Sequence, residues 1–242
     1  MTFLLNGLRQ AVELLTHPTA DLVSIIQVTL LLTVASTAIA LVLGVPAGLG
    51  LGLGRFPGRR LLLAVVNAGL GLPPVVVGLV VALLLLRNGP LGSWNLLYTV
   101  RGMILAQVVL GLPVVVSLVA SAAGAVEAGL LAQARALGAS RTDVAVLVGR
   151  EARAGVAVAA IAAMGSALSE VGAVVLVGGN IDLQTRTAAG AILTSISAGR
   201  YAEGIAVGIL LLGMVFLLAA ALTLVQVGGG SAARRSLAFG GR

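Results

Sequence analysis

Between Asp21 and Arg55 the chain carries no ionisable side chain. One crossing of a bilayer needs about 20 apolar residues, so this segment is longer than a single straight span. Nothing in lipid would hydrogen-bond an irregular backbone, whereas a helix satisfies its own polar groups. The class follows before any motif is read: a helical integral membrane protein. Composition agrees. Of 242 residues, 59% are hydrophobic and 10% charged, with a mean hydropathy of +1.14. A soluble domain carries about 25% charged residues. The excess apolar surface has to face lipid.

The rest of the chain divides around that segment. Residues 2–15 are short and amphipathic, with Leu4, Leu8, Ala11 and Leu15 on one face. They predict a helix lying in the membrane interface, within an N-terminal unit of 1–20 closed by His17-Pro18-Thr19. A basic start and a small-residue cleavage site are lacking, so no removable signal peptide is expected. Pro46 and the run Gly48, Gly50, Gly52, Gly54 are expected to loosen the inner end of the first crossing. Residues 61–86 form the second, with Pro73-Pro74 near its middle. Two prolines remove two backbone donors and force a kink. Freed carbonyls at membrane depth need neighbours or water, so the kink reads as a broken helix beside a pathway, or as a packing device. A connector over 87–101 holds Trp94 and Tyr98, which suit the membrane boundary. Crossings three, four and five cover 101–123, with Pro113 inside, 154–177 and 203–227. The transmembrane unit is thus 21–227. Residues 228–242, rich in Gly, Ser and Arg, predict a mobile tail.

All basic residues are arginine. Arg55, Arg59, Arg60, Arg135, Arg141, Arg150, Arg153, Arg234, Arg235 and Arg242 fall on one side of this alternation. Arg9, Arg87, Arg101, Arg186 and Arg200 fall on the other. The larger set belongs in the cytoplasm, which puts the N-terminus outside and the C-terminus inside. The net charge of +7 is thereby explained as a membrane-orientation signal, and nucleic acid is not expected as a partner.

One polar island interrupts the apolar pattern, at 127–153. Leu130, Ala134 and Leu137 share one helical face before Gly138, and Val144, Val148 and Ala152 share one after it. The pattern predicts a helix, a glycine turn and a second helix start. Apolar residues at helical spacing inside a charged loop point to a short helix that docks on something.

A second unusual position is Glu170, an ionisable side chain well inside a predicted crossing. A carboxylate there needs a partner or a water-filled cavity. Two readings stay open: part of a gate near the outer end of the pathway, or a cap on a backbone break or a pair with an arginine of a neighbouring helix. Two negative charges would repel, so Glu170 is a poor ligand for an anion. Asn180, Thr185, Arg186, Thr187 and the amides of Gly178 and Gly179 are better donors to anionic oxygens.

These stretches also carry a family resemblance. The run Ala132-Gln133-Ala134-Arg135-Ala136-Leu137-Gly138-Ala139-Ser140 resembles the Glu-Ala-Ala loop of ABC importer permeases, in which Gly follows three residues later. Ala134 and Gly138 match; Ala132 and Gln133 depart from the usual Glu and Ala. Ser169-Glu170-Val171-Gly172, Val177-Gly178-Gly179-Asn180-Ile181 and Thr185-Arg186-Thr187 resemble a segment of molybdate and sulfate permeases, and look most like the tungstate branch. The resemblance implies a type I (MetI-like) permease fold working as a pair of copies in a prokaryotic inner membrane. It implies a separate cytoplasmic ATPase that binds ATP and magnesium, and an extracytoplasmic protein that delivers the oxyanion. The residues it implies for ATPase coupling are Ala134, Arg135, Leu137, Gly138, Ala139, Ser140 and Asp143. For the pathway and gate they are Ser169, Glu170, Gly172, Asn180, Thr185, Arg186 and Thr187, to which the broken helix adds Pro73 and Pro74.

The chemistry of other classes is missing. No phosphate-binding loop of the G-x-x-x-x-G-K-[ST] type occurs, and the chain has no lysine. No cofactor, metal site or catalytic set is expected in the chain. A stand-alone secondary transporter would show intramembrane acid–base pairs or two matching halves, and neither is visible.

Overall fold

The computed structural model describes residues 2–238. Among them it is all helical: eleven α-helices and one 3₁₀ turn at Gly92–Trp94. Helix α1 (Thr2–Thr16) packs on α11 (Tyr201–Ala238) at the two ends of the chain. The contact is close. A Cβ added at Gly7 would lie 2.4 Å from Cγ2 of Ile205. Of the apolar face expected on α1, Leu8 is exposed. The side chains of Leu4, Ala11 and Leu15 lie outside those described.

Helix α2 (Ala20–Leu53) is the first crossing, and it corrects the sequence reading. It continues through Pro46, Gly48, Gly50 and Gly52 without a break, and Gly54 ends it as the cap. Gly44, Gly48 and Gly52 stand one turn apart on the face turned to α5 (Val100–Gly124). A Cβ at these positions would come within 2.7 Å of Val115, 2.7 Å of Val119 and 2.6 Å of Ala123. Gly50, on another face, meets nothing within 4 Å. The glycines therefore let two helices approach almost backbone to backbone, the usual role of small residues in lipid. The core of the bundle forms there, from Ala40, Val115, Val119, Ala159 and Ala163.

The second crossing is broken where the prolines predict it. Helices α3 (Arg59–Gly69) and α4 (Pro74–Leu85) meet at 99°. Pro74 occupies the first turn of α4, where its missing N–H costs nothing. The fourth crossing, read as one span over 154–177, is broken too, as the reading of Glu170 as a cap on a backbone break allows. Helices α8 (Arg153–Ser169) and α9 (Gly172–Gly178) meet at 61°. The two half-helices pack together: a Cβ on Gly78 of α4 would sit 2.4 Å from Cα of Ala173 on α9. Counting each bent pair as one span gives five spans; α2, α5 and the 201–224 part of α11 cross unbroken.

Between α5 and α8 stand α6 (Ala128–Ala136) and α7 (Arg141–Glu151). The connector before α11 holds a further apolar helix, α10 (Ala188–Ser197), largely buried on α11. The backbone of α11 runs as helix to Ala238, into the stretch expected to be a mobile tail; residues 239–242, with Arg242, lie outside the described residues.

Candidate functional site

The island folds as its pattern predicts. Helix α6 ends at Ala136, and Gly138 turns the chain with φ +86°. That left-handed conformation is open to glycine and strained for side chains with a Cβ. Ser140 then caps α7. Its Oγ accepts from Asp143 N at 3.2 Å, while the Asp143 carboxylate accepts from Ser140 N at 2.9 Å and from Ser140 Oγ at 2.6 Å. This reciprocal pair satisfies the free donors at a helix start. The same bonds, from the Ser140 hydroxyl first, hold the Asp143 carboxyl below the usual carboxylate range.

Only one side of the island is packed. Val144 and Val148 are buried with Ala123 against Leu49, Leu53 and Leu131, and Ala139 joins them in part. Ala152 is buried as well. On the other side Leu137 is 89% exposed, the most exposed large apolar side chain of the described residues. It sits in the turn, directly before Gly138. Arg135 is exposed and Ala134 half-buried. A cavity of about 930 Å³ lies beside this contact, between the C-terminal end of α2 and the island, lined by Pro46, Leu49, Arg55, Arg135, Ser140 and Val144 among others.

At the far end of the bundle the remaining candidates are tied into local structure. The break between α8 and α9 is held by polar groups. Ser169 Oγ donates to Gly165 O at 3.0 Å, and Glu170 Oε1 accepts from Ala173 N at 3.0 Å. Gly172 lies against Val75 of α4. The carbonyl of Ala167, left free by the end of α8, accepts from Nε2 of buried Gln107 at 3.4 Å. Gln107 was missed in the sequence. Its signal was available, as the one amide side chain in an otherwise apolar crossing.

The loop between α9 and α10 is similarly self-contained. Thr185 Oγ1 donates to Gly178 O at 2.6 Å and accepts from Ile181 N at 3.0 Å. Asn180 Nδ2 donates to Thr194 Oγ1 at 2.8 Å. Thr187 caps α10 through Gly190 N, and Arg186 pairs with Asp182. Gly179, Asn180 and Leu183 all take positive φ there. Thr29 of α2 accepts from Ala188 N at 2.9 Å and so fastens the start of α10. Pro73 and Pro74 are exposed at the other break. Structure thus joins Ser169, Glu170 and Gly172 in one break, and Asn180, Thr185, Arg186 and Thr187 in one loop. It sets both apart from the island, at the opposite end of α5, a helix about 37 Å long.

Residues 44–227 match the family described as binding-protein-dependent transport system inner membrane component. This chain belongs to that family. The match takes in α2 from Gly44 onward, the island, both breaks and the α9–α10 loop. The permease is 46% identical to a probable anion ABC transporter permease protein of Haloferax volcanii, over 80% of this chain and 86% of that one. It is 35% identical to the tungstate uptake system permease protein TupB of Peptoclostridium acidaminophilum, over 93% and 99%. Against the molybdenum transport system permease protein ModB of Azotobacter vinelandii the figures are 33%, 74% and 82%. It is therefore a membrane permease of the ABC oxyanion importer group.

Proposed function

We propose that this permease moves an oxyanion, tungstate first and molybdate next, across a prokaryotic inner membrane with energy from a separate ATPase. The observation that carries the coupling part is Leu137: an 89% exposed leucine, presented by a glycine turn on an island whose other face is packed. An apolar knob held in that way suits a groove on a partner. In this reading Ala134, Arg135, Leu137, Gly138, Ala139, Ser140 and Asp143 dock on the ATPase. Two copies of the chain enclose the pathway, and an extracytoplasmic binding protein supplies the anion. Pro73 and Pro74 form a fixed corner of the gate, and Ser169, Glu170 and Gly172 its hinge. Asn180, Thr185, Arg186 and Thr187 shape its outer rim. The preference for tungstate rests on two tungstate permeases that align with 93% and 90% of this chain, against 74% for the molybdenum permease.

Uptake of labelled tungstate into proteoliposomes holding permease, ATPase and binding protein tests this. We expect uptake to require internal ATP and to survive collapse of the proton gradient. Glu170→Gln should keep assembly, because the amide oxygen can still accept from Ala173 N, while transport falls. Uptake without ATP that vanishes with the gradient would overturn the reading. The proposed orientation is checked by labelling introduced cysteines, since the chain has none of its own: Ser93→Cys should react from outside, and Ser140→Cys only after permeabilisation.

A further inference from the structure

Arg55 follows the C-terminal end of α2, and Arg135 lies on α6. Together they line two neighbouring cavities, the one of about 930 Å³ and another of about 270 Å³. Both side chains are exposed, and neither has a hydrogen-bond or ion-pair partner among the described residues. The ion pairs there are Arg186 with Asp182 and Arg200 with Glu203. Arg59, which also lines the smaller cavity, is already engaged. Its Nε donates to Leu51 O at 2.7 Å and its Nη2 to Gly52 O at 3.4 Å. Those carbonyls close α2, where a cation suits the helix dipole. An orientation signal asks only for arginines on one side of the membrane. It does not ask for two unpaired guanidinium groups at one cavity, where like charges repel.

The larger cavity is amphipathic. From Arg55 its wall runs back along α2 through Leu53, Leu49, Pro46 and Val45, about 12 Å of helix within the first crossing. Gly50 stands on the same wall, and a Cβ there would meet nothing within 4 Å. Val42, one turn beyond Pro46, is 72% exposed. An uncovered apolar stripe of one helix thus leads from two guanidinium groups into the membrane.

We propose that this cavity holds an acidic phospholipid, with its phosphate at Arg55 and Arg135 and one acyl chain along Val42, Pro46 and Gly50. Guanidinium groups make charge-assisted bonds to phosphate oxygens, and basic pockets at the ends of membrane helices suit lipid headgroups. The apolar wall decides between sources of phosphate. A free oxyanion would engage the arginines and leave that wall bare, whereas a phospholipid covers both parts. Bound there, the lipid braces the island against α2 across a gap that protein side chains leave open. The inference rests on the chain's place in a membrane and not on its coupling to an ATPase.

The test is native mass spectrometry of the full-length purified permease from micelles holding equal amounts of phosphatidylglycerol and phosphatidylcholine. We expect phosphatidylglycerol to be retained in excess; equal retention of the two overturns the site. Arg55→Gln and Arg135→Gln should each lower its retention by about fivefold. Arg60→Gln removes an exposed arginine that lines neither cavity and should change nothing. Equal losses in all three variants would mean diffuse attraction and refute the proposal. Gly50→Phe separates lipid from free anion. Its ring enters open space where the acyl chain is placed, so retention should drop although both arginines remain. Unchanged retention in that variant, or displacement of the lipid by millimolar inorganic phosphate, would leave a free-anion site instead. Lipid carried by the single chain but absent from its dimer, or from its complex with the ATPase, would give the groove to those partners. A second readout is Tm, which phosphatidylglycerol should raise above its value in phosphatidylcholine for the parent and not for Arg55→Gln. Neither measurement needs transport or ATP, so the proposed function can fail while the site stands.

Discussion

Two crossings are broken, and they are broken by different means. The α3–α4 break is written into the covalent chain: Pro73 and Pro74 remove two successive donors, and Pro74 pushes Pro73 out of the helical region, whereas the single Pro46 and Pro113 lie inside continuous helices. The α8–α9 break contains no proline. It rests on Glu170 accepting from Ala173 N and on Gln107 reaching the carbonyl of Ala167 from another helix. The first is permanent, while the second lasts only as long as its hydrogen bonds. The contrast shows where shape can change: a bend held by side chains can be remade, and a bend made by proline can only be carried about as a rigid corner.

The largest expected effect comes from separating the two half-helices. Gly78→Val places a side chain against the backbone of Ala173, which cannot withdraw. We expect a loss of about 3 kcal/mol or more, seen as a collapsed Tm and aggregation in size-exclusion chromatography; a monodisperse variant with parental Tm would refute the close α4–α9 contact. Next, Gln107→Leu strands the Ala167 carbonyl and should cost about 1–3 kcal/mol. Exchange of amides over 165–175 should rise while that over 70–80 stays put. A rise in both would erase the proposed difference between the breaks. At the island, Gly138→Val forces a branched side chain to φ +86° and should cost about 1–2 kcal/mol, with Gly138→Asn milder. ATPase retained on the permease during affinity purification measures it, and equal retention in the valine variant counts against the turn. Smallest of all, Pro74→Ala should change Tm by less than that which about 1 kcal/mol would produce, because Pro73 still ends the helix. A large change there would mean the corner is less rigid than its covalent geometry implies.

Much of this was legible in the sequence because it depends on local rules. Long charge-free stretches mark helices in lipid, paired prolines mark a break, and Gly138 between two apolar helical patterns marks a turn and a helix start. What was not legible depends on partners distant in the chain. The glycine run before Arg55 looks like a weak point until α5 lies beside it; only then do Gly44, Gly48 and Gly52 separate from Gly50 by face. The α8–α9 break needs Gln107, sixty residues away. The α9–α10 loop reads as a set of free donors, yet Thr185, Thr187 and Asn180 already bond to their own neighbourhood. A sequence displays hydrogen-bonding capacity and does not show how that capacity is already engaged.

The glycine seam has a mechanical consequence. Helices that meet through long side chains can slide, because rotamers re-form as one surface passes another. Along Gly44, Gly48 and Gly52 there is no such layer, and the ridge of Val115, Val119 and Ala123 sits in a groove cut to the backbone. The island rests on the C-terminal ends of that same pair, through Val144 and Val148. In the proposed coupling, a push delivered at Leu137 would pass through Val144 and Val148 to α2 and α5 together, as torque on one shaft, and slack would be taken up where crossings are jointed.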